Sequence, residues 1–204
     1  MSFLASSSTV AMLVLALLVP QKTKPGQIRR PTAPETFRAT AKVANQAGLA
    51  GAAFVDVQID KYTSDADRDG MVATFKSGGF PALVTALRKA PAVGSVKMGT
   101  DSVVVRFAHE QRSSDTRRTI TIVADHPMMF VGGGAVNAKP REGYDVTVLQ
   151  IDMDDAGVGQ GKMAAAAKIK PGGTNGLELD DYAEQPINLV NISRSLTSAS
   201  KPAK

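Results

Sequence analysis

The chain lacks cysteine altogether. Disulfides, thiolate metal sites, cysteine nucleophiles and the lipid-bearing cysteine of a bacterial lipoprotein are therefore excluded. Imidazole is scarce as well: His109 and His126 are the only histidines in 204 residues. His109-Glu110 begins like a zinc-protease helix, but Ser113 stands where the second histidine belongs. No G-x-S-x-G elbow supplies an activated serine. Excess positive charge is missing from the centre of the chain. Between residues 52 and 194, sixteen Lys and Arg stand against eighteen Asp and Glu. The formal net charge of +5 belongs instead to the flanks, where residues 22–51 hold six basic side chains against Glu35 and the tail adds Lys201 and Lys204. A domain that tracks a nucleic-acid backbone carries its own basic stripe, so no nucleic-acid partner is expected.

Among the features present, the first is an apolar run over residues 10–19, closed by Pro20. Its length suits the hydrophobic core of a secretory signal and falls short of the ~20 residues of an independent span. Residues 1–21 are therefore expected to be a signal peptide or an N-terminal anchor, and the protein to be periplasmic or secreted. Basic residues follow the run and none precedes it, which is the reason for keeping the retained anchor as an alternative. Residues 22–51, with Pro25, Pro31 and Pro34 among basic and small residues, read as a basic Pro-rich linker. Residues 195–204 read as a disordered tail, which leaves 52–194 as a single β-rich domain.

Within that domain, Val55, Val57 and Ile59 alternate with Asp56, Gln58 and Asp60, a strand with one polar face. Ser64 then caps an acidic helix start, and Gly78-Gly79 closes a first helix carrying Met71, Val72 and Phe75. Pro81 opens a second helix, with Leu83, Val84 and Leu87 facing inward. Beyond Ala92 the period changes to two. Residues 93–98, 102–110 and 118–124 predict strands, and residues 144–170 predict a hairpin about the turn at Asp155 and Gly157. Residues 163–168 favour helix by propensity. The glycines around them predict strand, with Met163, Ala165, Ala167 and Ile169 on one face and Lys162, Lys168 and Lys170 on the other. Residues 177–180 and 187–192 bring the total to about eight strands. The expected fold is α+β, mostly β: a curled antiparallel sheet or barrel with a helical pair inserted after the first strand.

Candidate chemistry is sparse. Asp65, Asp67 and Asp69 alternate before Gly70 as in the first half of a calcium loop. The twelfth position, which needs a bidentate glutamate, is Lys76, so they are only weak metal candidates, and the acidic start of a helix is the better account of them. Asp152, Asp154 and Asp155 cluster at the hairpin tip, where aspartate suits a turn. The run from Gly157 through Gly159 and Gly161 to Lys162 fails as a phosphate loop, because Ala156 replaces its first glycine and Met163 its Ser or Thr. His126, directly after Asp125, is the candidate general base, with Gly132, Gly133 and Gly134 as N–H donors to an oxyanion. No cofactor is expected.

Three stretches, KYTSDADRDGM, YDVTVLQIDMDDAGVGQGKM and LELDDYAEQPINLVNIS, resemble uncharacterised exported bacterial proteins. The resemblance implies a bacterial source and an extracytoplasmic location, and brings no catalytic residue with it. The resulting expectation is a cell-envelope binding or structural module, with Ala165 and Ala167 lining an interior that holds an apolar small molecule. Two alternatives stand beside it. One is a hydrolase near His126 and Gly132–Gly134; the other is a module that binds an envelope protein while tethered at the membrane.

Overall fold

The computed structural model describes residues 33–44, 50–114, 116–128, 141–173, 176–183 and 186–196. Strands β1 (Glu35–Ala44) and β2 (Ala50–Ile59) come first, followed by helix α1 (Asp65–Lys89). Seven strands complete the order: β3 (Gly94–Met98), β4 (Asp101–Ser114), β5 (Arg117–Ala124), β6 (Val146–Asp154), β7 (Val158–Pro171), β8 (Leu177–Tyr182) and β9 (Ile187–Leu196). β1 to β7 pair in succession, and β9 lies between β7 and β1, so eight antiparallel strands close into a barrel. Closure leaves no strand edge within the ring. β8 and β9 lie end to end along one edge of β7. Leu177 to Tyr182 pair with Pro171 to Ala167, and Ile187 to Ser193 then continue along Met163 to Val158.

Alternation along each strand divides the apolar side chains into two cores. Phe37, Val57, Ile120, Ile151, Met153 and Met163 are among those that fill the barrel. On the outside, Met71, Leu83, Val84 and Leu87 of α1 cover Phe107, Val123, Val148 and Ile169. Burying each such side chain contributes about 1.5–3 kcal/mol. Bulges place the strands correctly for both cores. One between Val105 and Phe107 turns Phe107 outward, beneath the helix, while Ala108 faces the interior.

Several expectations are corrected. The helical pair is one element with a kink at Gly79 (φ 67°, ψ −164°), a conformation open to glycine, after which Pro81 starts the second limb. It follows the second strand, because β1 occupies part of the segment assigned to the linker. The inward residues of β1 include Phe37, Ala39 and Ala41, and two alanines give little hydrophobic signal to set against Arg38 and Lys42. The last strand likewise extends to Leu196, into the expected tail. Residues 163–168 are strand, within β7. Their faces differ from the expected alternation, since a bulge opposite Val146 and Val148 shifts the register. Met163 enters the barrel and Ala165 borders its core, whereas Ala167 and Ile169 pack outside with α1. The two alanines therefore do not line a common chamber. The glycines of the phosphate-loop-like run serve strand pairing: a Cβ on Gly159 or Gly161 would collide with the carbonyl oxygen of Asp152 or Gln150.

Candidate functional site

His126 stands just past β5, its side chain 64% exposed, with Nδ1 2.8 Å from Asp125 Oδ1. Asp125 is buried and also accepts from Arg106 Nε at 2.7 Å. Burial works to raise the Asp125 pKa, but the hydrogen bonds from Arg106 and His126 outweigh it and the carboxyl is held below its ordinary range. Arg106 in turn donates to the Ala90 carbonyl at 2.8 Å, which fastens the end of α1 to the barrel. The nearby Thr147 hydroxyl is 2.9 Å from the carbonyl oxygens of both His126 and Ala165 and accepts from Met128 N–H. It is committed to the backbone. Gly132, Gly133 and Gly134 lie outside the described residues. The arrangement is a carboxylate-oriented imidazole.

Asp65, Asp67 and Asp69 occupy the first turns of α1, where alternate positions point to different sides of the helix. Ser64 caps the helix and donates to Asp67 at 2.6 Å, while Arg68 pairs with both Asp65 and Asp69 at 2.9 Å. His109 reaches this corner as well, with Nε2 3.2 Å from Asp65 Oδ1. Among the described residues no group of three His, Asp or Glu could hold a metal ion. The hairpin-tip aspartates are occupied separately. Thr119 donates to Asp152 at 2.6 Å, Asp154 accepts Val158 N–H at 3.0 Å, and Asp155 meets Arg112 at 3.2 Å.

One end of the barrel holds a charged network that sequence patterning did not reveal. Glu35, at the start of β1, is 1% exposed and accepts from Tyr62 Oη at 2.5 Å, from both Arg118 terminal nitrogens at 3.0 and 3.1 Å, and from Arg194 at 3.2 Å. Arg118 also binds Glu110 at 2.7 Å and lies over the Phe37 ring. Burial alone would raise the Glu35 pKa, yet Arg118, Tyr62 and Arg194 bring it below 4.5. Burial and the Glu35 charge push the Tyr62 phenol well above the ordinary tyrosine range. A carboxylate with four such donors has little acceptor capacity left for a substrate. This network is structural.

The outer face beside α1 is organised differently. Register aligns Lys42 of β1 with Asn188 of β9, Asn188 with Lys162 of β7, Lys162 with Gln150 of β6, and Gln150 with Thr121 of β5. A second row runs Gln160, Asp152, Thr119 and Gln111. Two furrows lie over these rows. One of about 450 Å³ is lined by Lys42, Asp152, Gln160 and Asn188. The other, of about 400 Å³, has Gln111, Thr119 and Thr121 along its floor and Leu177 and Leu179 of β8 among its apolar lining. Gln150 and Lys162 line both, so the two adjoin. The sequence marks Lys162 only as part of a polar strand face and places Lys42 in the expected linker. Their alignment comes from pairings between strands far apart in the chain.

Comparison with protein-family models, with curated proteins and with solved structures returns no match.

Proposed function

We infer that the chain is an exported binding module of the bacterial cell envelope, without catalytic machinery of its own, whose ligand lies on the polar rows of the outer face. The observation that carries this reading is the register itself. Four exposed hydrogen-bonding side chains from four neighbouring strands, Lys42, Asn188, Lys162 and Gln150, stand in register along two adjoining furrows. Strand pairing fixes their spacing, so recognition requires little reorganisation. The apolar segment at residues 10–19 supports export, and N-terminal sequencing of protein recovered from cell fractions tests it. Cosedimentation of the full chain with isolated bacterial envelopes tests the surface. The double substitution Gln150→Ala with Asn188→Ala is expected to abolish retention, and Lys97→Ala, on β3, to leave it intact. Equal retention of all three proteins would refute the assignment.

A second reading rests on the Asp125–His126 pair: the imidazole acts as general base on an ester, oriented by the buried carboxylate. Hydrolysis of p-nitrophenyl acetate that is lost in His126→Ala would support it. Hydrolysis that survives the substitution, or none at all, removes it.

A further inference from the structure

We propose that His109 is a pH-sensitive latch: its Nε2 holds Arg68 when the ring is neutral and Asp65 when it is protonated, and the exchange is passed to the β8 wall of the second furrow. This rests on the reading of the furrows as the binding surface and adds their regulation. His109 is buried against the first turn of α1, its ring stacked on Phe107 with centroids 6.2 Å apart. Neither the exposed row nor the Asp125–His126 pair makes use of it.

One nitrogen faces two partners with opposite requirements. Nε2 lies 3.2 Å from Asp65 Oδ1 and 3.2 Å from Arg68 Nη1. A carboxylate only accepts and a guanidinium only donates. The neutral ring with its proton on Nδ1 accepts from Arg68 through Nε2. The charged ring donates from Nε2 to Asp65 and can accept nothing. Histidine is the side chain that makes this exchange in mild acid. Protonation also sets a positive ring against a guanidinium that is only 22% exposed, where water screens poorly. Arg68 has another partner to turn to, since Asp69 Oδ1 accepts from its Nε at 3.0 Å and its Nη2 at 2.9 Å. Charges on the other elements around the ring are engaged elsewhere. On β4, Glu110 binds Arg118 at 2.7 Å; on β8, Glu178 lies 3.8 Å from Lys170; on β5, the register partner of His109 is Thr121.

Arg68 joins the ring to the furrow. Its Cγ and Cδ press on Gly176 so closely that a Cβ there would stand 2.7 Å from both. The Gly176 carbonyl accepts Gly172 N–H at 3.2 Å and closes the turn into β8. Leu177, Glu178 and Leu179 follow directly, and with Gly173 they line the second furrow. A guanidinium that leaves the ring for Asp69 moves its stem away from Gly176 and loosens that wall. Acid should therefore weaken binding at the furrow.

NMR of the full chain across the mildly acidic range in which histidine titrates, about pH 8 to 5, tests the latch. The His109 ring, the Arg68 Nε–H and the Gly176 amide are expected to shift along one titration curve. In His109→Gln, whose amide oxygen accepts from Arg68 at every pH, the Arg68 and Gly176 shifts should disappear. Arg68→Met, which keeps an apolar stem against Gly176, should abolish the Gly176 shift while the ring still titrates. Envelope retention of the unaltered chain should fall by about fivefold over the same range, and that of His109→Gln by less than about twofold. A Gly176 amide that follows no histidine, or whose shift is lost in His126→Ala, would overturn the proposal. So would full pH dependence of retention in His109→Gln. If Gly176 follows the His109 ring while retention ignores Gln150 and Asn188, the latch is upheld and the surface assignment beneath it fails.

Discussion

Two polar regions of the barrel make a direct comparison. At one end, Glu35 and Arg118 are buried and Glu110, Tyr62 and Arg194 half-buried, and they bind one another. Across the outer face, Lys42, Asn188, Lys162 and Gln150 stand in register and face solvent. Both hold charged side chains, joined by a phenol in the first and by amides in the second, but the partners differ. A polar group whose hydrogen bonds are filled from within holds the fold together, and one left facing water in an ordered row is available to a ligand. Mutations in the first region should therefore change stability, and mutations in the second should change binding.

The largest expected effect sharpens that division. Arg118→Met leaves Glu35 and Glu110 buried without their principal partner and should destabilise the protein by about 3–5 kcal/mol, measured by urea unfolding. Replacing Glu35 and Glu110 as well, by Leu and Met, should recover much of the loss, because the penalty lies in the unpaired charges. Leu83→Ala, a nonpolar control beneath α1, should cost about 2–5 kcal/mol.

Acidity should act on the same region. The folded-state pKa of Glu35 lies below 4.5, so its contribution is fully present above that value and is lost as pH falls through the folded pKa. Asp125 behaves likewise from 3.8 downward. The Tyr62 phenol is shifted the opposite way, so its contribution is intact below 10.0 and declines as pH rises beyond it. Stability measured against pH should therefore be flat across neutrality with respect to these groups and fall at both extremes. Tyr62→Phe should remove the alkaline component specifically. The smallest effect belongs to the outer face, where Gln150→Ala and Asn188→Ala should each change stability by no more than about 0.5 kcal/mol, as urea unfolding would show. A larger loss would mean that these side chains are part of the architecture.

The sequence was most informative where large residues alternate. β4, β5 and β6 carry Val, Ile, Phe and Leu at inward or helix-covered positions, and their period of two was plain. β1 was obscured because much of its inward face is alanine. The bulge in β7 was hidden for a different reason. It is defined by the partner strand, and nothing within a run of alanines marks where the register shifts. Neither polar region could be read locally either. Glu35 and Arg118 are 83 residues apart, and the outer row draws single residues from five strands whose order around the barrel differs from their order in the chain. Sequence patterning placed Lys162 on a polar face but left Lys42 in the expected linker; only the closed topology aligned them.

The most direct test is NMR observation of the side-chain amides while the full chain is titrated with a detergent-solubilised bacterial envelope extract. Concerted shifts of Gln150, Gln160, Asn188 and Gln111 are expected, with the Arg118 guanidinium signal unmoved. Shifts centred on Arg118 or His126, with those four amides unchanged, would contradict the account.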